Sequence, residues 1–160
     1  MRLSVIAIGR LNAGLERDLA ERYRLRLGEI GRALGLRGLD LHELPESRAR
    51  DAATRMNEEA AAMRALIPEG AMIVALDERG DNISSSAFAT RLGQWRDQGA
   101  PSCAFVIGGA DGLAPDLRKR ANCVWAFGAA TWPHQFVRVM VYEQLYRAAT
   151  ILAGHPYHRA

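Results

Sequence analysis

The sequence predicts an α/β fold: a mainly parallel sheet with helices on both faces. Short apolar runs rich in Val, Ile, Leu and Ala recur along the chain without polar interruption. Such runs mark strands covered on both faces. They alternate strictly with segments whose apolar residues return every three or four positions, so the order reads β-α-β-α-β-α-β-α-β-α. That alternation selects parallel pairing through crossover helices. No repeat, low-complexity stretch or linker interrupts it, and residues 1–160 read as one domain.

Each element has its own signal. Leu3–Ile8 is a short buried strand that stops at Gly9. Leu15 to Leu34 reads as a helix with Leu15, Leu19, Tyr23 and Leu27 on one face. Leu39–Leu44 alternates apolar and polar residues, the mark of a half-buried strand, and Pro45 ends it. Asp51 to Leu66 is rich in Ala, Met and Glu and reads as a helix closed by Pro68-Glu69-Gly70. Ala71–Leu76 is an apolar strand, followed by Asp77–Asn82 as turn material. Ser84–Ser86 offer caps for a helix reaching about Asp97. Ser102–Ile107 is a buried strand, Pro115–Ala121 a short helix and Cys123–Phe127 a last strand. After the loop Gly128–Trp132, Pro133 stands where proline favours a helix start. That helix repeats Val137, Met140, Val141, Leu145, Ala148, Ile151 and Leu152 as an apolar stripe.

Bulk properties narrow the class. A chain of 160 residues can bury roughly 70% of its unfolded surface and needs no staples. Its 49% hydrophobic and 24% charged residues are those of a globular domain. No apolar run approaches the ~20 residues that span a bilayer, so no membrane partner is expected. The first nine residues read as a strand and not as a signal peptide. Cys103 and Cys123 both sit in apolar runs and read as buried, reduced thiols of a cytoplasmic protein. A net charge of +3 and a pI near 9.2 permit a nucleic-acid partner without demanding one.

In parallel sheets, ligands bind beyond the carboxyl ends of the strands. Three such ends carry unusual loops: Leu76-Asp77 with its turn, Gly108-Gly109-Ala110-Asp111-Gly112, and Phe127-Gly128-Ala129-Ala130-Thr131-Trp132. Glycine there lets a ligand approach the backbone. The second loop lacks the Gly-Lys-Ser/Thr of a Walker loop and the G-x-G-x-x-G spacing of a dinucleotide site. In the third loop Gly128-Ala129-Ala130 leaves recognition to the backbone, and Phe127 and Trp132 can bracket an aromatic ring. His134 and Arg138 stand four apart at the start of the last helix, facing that loop. Arg138 lies among apolar residues, and a half-buried arginine needs an anionic partner. Glu143 and Arg147 have the spacing of an exposed helical ion pair. The chain then closes on His155-Pro156-Tyr157-His158-Arg159, a cluster that core packing does not explain. Termini usually fray, so this one is expected to be held by a substrate or a partner chain. Four histidines and no adjacent Cys or carboxylate cluster do not make a zinc site, and no metal is expected. A G-x-S-x-G elbow is absent as well.

Four stretches together resemble one bacterial family. They are Phe105–Leu113, Pro133–Val139, Glu143–Ala148 and the ending His155–Arg159, with Val5–Gly9 in support. The family is that of the 23S ribosomal RNA pseudouridine N3-methyltransferases (ribosomal RNA large subunit methyltransferase H), minimal members of the SPOUT, or trefoil-knot, class. The resemblance runs the length of the chain. It implies a C-terminal trefoil knot, although knots are rare. It implies S-adenosylmethionine as methyl donor, held against Leu76, Gly108, Gly109 and the stretch Phe127, Gly128, Ala129, Ala130, Thr131 and Trp132. A homodimer built on the last helix is also implied, the tail of one chain completing the site of the other. The implied substrate is large-subunit ribosomal RNA within the assembled ribosome, which agrees with a chain too small to carry a separate RNA-binding domain.

N3 of a pseudouridine lies between two carbonyls and must lose its proton to attack a sulfonium methyl. His155 and His158 can accept a proton. Arg138 or Arg159 can steady the carbonyl oxygens or a phosphate, and Tyr157 can stack on a base. The residues do not single out the base among these. Two other readings stay open: a transfer RNA methyltransferase of the same class, and a non-catalytic ligand-binding α/β dimer.

Overall fold

The computed structural model describes residues 1–158. Its elements are β1 (Arg2–Ile8), α1 (Leu15–Gly31), β2 (Arg37–Leu44), α2 (Ala52–Leu66), β3 (Met72–Asn82), α3 (Ser85–Asp97), β4 (Ser102–Ile107), α4 (Pro115–Arg120), β5 (Cys123–Ala126) and α5 (His134–Leu152). A 3-10 turn, Arg32–Leu34, follows α1. The strands lie in the order β2-β1-β4-β3-β5, and every pair is parallel.

The period-two geometry of a strand sends alternate residues to opposite faces. Leu3, Val5 and Ala7 of β1 with Cys103, Phe105 and Ile107 of β4 meet α1, α3 and α5 in one core cluster. Ile6, Ile8, Ala104 and Val106 meet α2 and α4 in a second cluster through Ala60, Met63 and Leu117. Helices therefore cover both faces, as the unbroken apolar runs require. Phe88 of α3 stacks on Trp125 of β5 with ring centroids 4.1 Å apart, and the Trp125 indole N–H donates to the Ile83 carbonyl. Each such large side chain, fully buried, contributes roughly 1.5–3 kcal/mol through removal from water. Capping follows the expected residues: the Asp51 carboxylate accepts the Thr54 N–H and the Ser84 hydroxyl accepts the Ala87 N–H. Cys103 and Cys123 are both buried and free, and burial raises both thiol pKa values.

The structure corrects the sequence reading at three places. Asp77–Asn82 is not a turn but the second half of β3. Trp125 pairs with Leu76 and again with Asp81, so β5 has β3 on both of its edges. Gly80 makes that crossing possible: a Cβ there would lie 2.6 Å from the Val124 backbone. Tertiary pairing has overridden a turn-like composition. Second, the stripe on α1 is only half used. Leu27 is buried, but Leu15 is 84% exposed and Leu19 37% exposed. Third, Pro133 is the cap of α5 and not its first residue. Among the described residues, no helix is long and apolar enough to cross a membrane.

Candidate functional site

Parallel strands bring all their carboxyl ends to one edge, and there a cavity of about 590 Å³ opens beyond β3, β4 and β5. The three loops singled out in the sequence meet in it. Leu76, Gly108, Gly109, Phe127, Gly128, Ala130, Thr131 and Trp132 all line it; Ala129 does not. His134 and Val137 at the start of α5 close one side.

Gly128 carries the clearest conformational signal. Its φ of +100° disfavours other residues, and a Cβ on it would meet nothing within 4 Å. Its N–H donates to the Asn82 side chain at 2.9 Å. The loop is tied twice more, by the Thr131 hydroxyl donating to Glu78 at 2.8 Å and by the Trp132 indole N–H donating to the Phe127 carbonyl at 3.0 Å. Glu78 and Asn82 belong to the part of β3 read as a turn, so the sequence missed both anchors. Phe127 packs against Trp125 at 4.8 Å, whereas Trp132 stays 47% exposed at the rim.

The second loop is closed by glycine geometry. A Cβ on Gly108 would lie 2.6 Å from the Gly112 backbone, and one on Gly109 would press on Ile8 at 3.0 Å and on the Glu59 carboxylate at 3.3 Å. Asp111 in this loop receives the Arg55 guanidinium at 2.6 and 3.0 Å. That hydrogen bond holds the Asp111 carboxyl below its ordinary range. Asp77 lines the cavity with its carboxylate almost buried, accepting the Arg79 N–H at 3.0 Å and facing Arg118 at 3.5 Å.

Arg138 does not face the third loop. It is fully buried on the inner side of α5, paired with the Glu43 carboxylate and donating to the Gly9 carbonyl at 3.0 Å. Glu43 also accepts the Leu11 N–H at 2.7 Å. The anionic partner that the sequence reading required is therefore internal, and the guanidinium joins β1, β2 and α5. His134, four residues earlier, does reach the cavity, beside Gly9.

The tail folds back onto its own chain along the second half of α5. The Tyr157 hydroxyl donates to Glu143 at 3.1 Å, its ring meets Tyr146 at 4.7 Å, and the Arg147 guanidinium lies over it at 4.8 Å. Burial, before the nearby carboxylate, raises the Tyr157 pKa. His158 stands 3.4 Å from both Arg147 and the Ser86 hydroxyl. The Glu143–Arg147 pair, read as an exposed helical pair, is a half-buried clamp for the tail. His155 is exposed, and its Nδ1 accepts the Tyr157 N–H. Arg159 lies outside the described residues. The tail turns back along α5, so Tyr157 reaches Glu143, Tyr146 and Arg147, from the middle of the helix onward, while the cavity lies at its first residue, His134.

Similarity to known proteins agrees with this geometry. The family described as "Predicted SPOUT methyltransferase" matches residues 1–158. A Bradyrhizobium protein named ribosomal RNA large subunit methyltransferase H is 68% identical over 160 residues, all of both chains. One of the same name from Nitrobacter hamburgensis is 68% identical over 159 residues, 99% of each chain. Among solved structures, a probable methyltransferase from Bordetella pertussis superposes with a TM-score of 0.53 at 15% identity, over 92% of this chain and 96% of that one. A probable methylase family protein from Haemophilus influenzae gives 0.51 at 12% identity, over 99% of this chain and 70% of that one. These last two speak to the fold alone. With the five-stranded parallel sheet, the glycine-loop cavity and a match over nearly all its length, the chain belongs to the SPOUT methyltransferase family.

Proposed function

We propose that the protein transfers a methyl group from S-adenosylmethionine to N3 of a pseudouridine in large-subunit ribosomal RNA, on the assembled ribosome. The observation that carries this is the glycine-loop cavity at the carboxyl ends of β3, β4 and β5, in a chain 68% identical over its length to proteins named for that RNA. Methyl transfer needs no protein nucleophile. It needs alignment of acceptor nitrogen, methyl carbon and sulfur, and a place for one proton.

The cavity fits the donor. Gly128 at φ +100° faces open space beside the cavity, and the low side-chain content of Gly108, Gly109, Gly128 and Ala130 opens the backbone to hydrogen bonding. Leu76, Phe127 and Trp132 supply apolar walls, while the carboxylates of Asp77 and Glu78 suit a donor that carries positive charge. When bound, the donor supplies an electrophilic methyl on a sulfonium. Attack by an anionic base nitrogen on that cation destroys charge, so a pocket shielded from water favours it.

A second copy of the chain brings the tail. Within one chain, Tyr157 is held at Glu143, nine residues or about 14 Å of helix beyond His134 at the cavity. A head-to-tail pairing of two α5 helices would place the tail of one copy at the cavity of the other. Phe136, 48% exposed beside the cavity, and Leu15 on α1 are the apolar surface such pairing would cover. In this arrangement Tyr157 stacks on the target base and His155 or His158 accepts the N3 proton. Arg138 is a positioning residue: it fixes the end of β1, which packs beside His134, and does not touch the base. The trefoil knot belongs to the same reading, supported by membership of the SPOUT family. The two free buried thiols suit the reducing cytoplasm, where ribosomes are found.

The test supplies labelled donor with unmodified ribosomes, deproteinised ribosomal RNA or transfer RNA. Label is expected in the large-subunit RNA of the ribosomes. Label in transfer RNA alone, or donor binding with no transfer, would overturn the proposal in favour of one of the two alternatives.

A further inference from the structure

One face of the molecule has a composition that neither the core nor the donor cavity requires. Arg24, Gly28 and Arg32 follow one another at four-residue spacing and share one side of α1 and its closing turn. Gly28 is exposed, its φ is not positive, and a Cβ on it would meet nothing within 4 Å. Neither space nor backbone conformation asks for glycine, which weakens a helix relative to alanine. Its effect is a notch between two arginines. The notch is the floor of a hollow of about 450 Å³, whose far wall is Arg37 and Gly38 at the start of β2. Through those two residues it continues into a second hollow of about 630 Å³, reaching Arg2 and Arg96. Among the described residues, no carboxylate lines either hollow.

Charge accounting on this face leaves an excess. Glu21 holds Arg24, Asp40 holds Arg2 and Asp97 holds Arg96. Among the described residues, Arg32 and Arg37 have no carboxylate within ion-pair distance, and the N-terminal ammonium donates only to the neutral Gly35 carbonyl. The whole chain carries +3, and this end of the sheet gathers Arg2, Arg24, Arg32, Arg37 and Arg96 around two adjoining hollows. Arg24 and Arg32 are separated by about 12 Å along the helix. The guanidinium fork matches phosphate oxygens, and a glycine-floored groove between forks lets a sugar–phosphate chain lie close to the backbone.

We propose that this face, with Arg32 and Arg37 at its centre, docks the phosphate backbone of the RNA substrate away from the base being methylated. The inference rests on the RNA reading above and deepens it. The face lies at the amino ends of the strands, the far edge of the sheet from the donor cavity. It therefore positions a folded RNA by shape and contributes nothing to the chemistry. It supplies a second point of contact that fixes the orientation of the RNA.

The test measures binding of the full-length protein to unmodified ribosomes across a salt series. Arg32→Gln with Arg37→Gln removes two phosphate contacts. Affinity is expected to fall about tenfold near 0.15 M salt, and the slope of log affinity against log salt to flatten by roughly 1.4–1.8. KM should rise by a larger factor than kcat falls, while donor affinity is unchanged. Gly28→Glu, which fills the notch with a carboxylate in reach of Arg24 and Arg32, should weaken binding in the same direction. Arg32→Lys with Arg37→Lys should restore most of the affinity; failure to restore it would mean that charge is not what the face supplies. Unchanged affinity and slope in the glutamine and glutamate variants, with wild-type methyl transfer intact, would overturn the docking face alone. No transfer by the wild type to any RNA would overturn the reading beneath it. Binding of anionic vesicles without binding of ribosomes would also overturn the face as an RNA surface.

Discussion

Replacing Arg138 by alanine tests whether this arginine belongs to the frame of the site and not to its chemistry. The side chain is 0% exposed, and its partner Glu43 is 21% exposed. Removing one member of a buried ion pair typically costs about 3–5 kcal/mol, because the other charge is left without compensation. Partial exposure of Glu43 lets water solvate the orphaned carboxylate, which places the loss near the lower end, about 3 kcal/mol. The carbonyl of Gly9 loses its donor as well. For a chain of this length, such a loss lowers Tm by roughly 6–12 °C. Thermal melts at one fixed protein concentration measure it, since a self-associating protein changes Tm with concentration. Glu43→Ala and the double variant complete a cycle whose coupling should reach about 2 kcal/mol. A loss below about 1 kcal/mol for Arg138→Ala, or strict additivity of the two, would refute a buried clamp and return Arg138 to the candidates for substrate contact.

Three further outcomes follow from the geometry. Gly128→Val places a β-branched side chain at φ +100°, which strains the loop, and projects it into open space beside the cavity. Donor affinity by calorimetry should fall at least about tenfold with the fold retained, and an unchanged Kd would remove the third loop from the donor site. Tyr157→Ala or His158→Ala should lower turnover while donor affinity changes little. Mixing Tyr157→Ala with Gly128→Val should recover part of the activity, because one site of a mixed dimer regains an intact loop and an intact tail. No recovery would count against completion of the site by a second copy. Burial pushes the Tyr142 phenol up to about 12, from an ordinary value near 10. Its stabilisation is complete below about pH 10, where both states hold the proton, and is lost as pH rises towards 12, where only the folded state keeps it. The full effect is about 2–3 kcal/mol. Tyr142→Phe should make the alkaline fall in stability shallower, and an unchanged alkaline slope would refute this assignment.

Sequence pattern carried the fold wherever local preference and tertiary packing agree. Ser102–Ile107 is apolar throughout and sits at the centre of the sheet, so its limits were legible to the residue. Asp77–Asn82 was not legible, because Asp, Gly and Asn are what turns use and only pairing with β5 makes this segment a strand. The three loops were visible as glycine-rich strand ends, but their anchors Glu78 and Asn82 act across 53 and 46 residues of chain and leave no local signal. Arg138 shows what a single-sequence reading of burial can and cannot do. Its apolar neighbours signalled a buried cation in need of an anion, yet nothing in the spacing pointed to Glu43, 95 residues earlier. For the tail, the residue types marked something unusual, whereas the clamp by Glu143 and Arg147 became visible only once the chain had turned back on itself.

The most direct test of the proposed function locates the transferred methyl group by atom. Ribosomes lacking the modification would be incubated with the protein and labelled S-adenosylmethionine, and the large-subunit RNA digested to nucleosides for mass spectrometry. The account predicts the label on N3 of a pseudouridine, and its loss with Tyr157→Ala. Label on another atom or nucleoside, or none at all with donor binding intact, would contradict it.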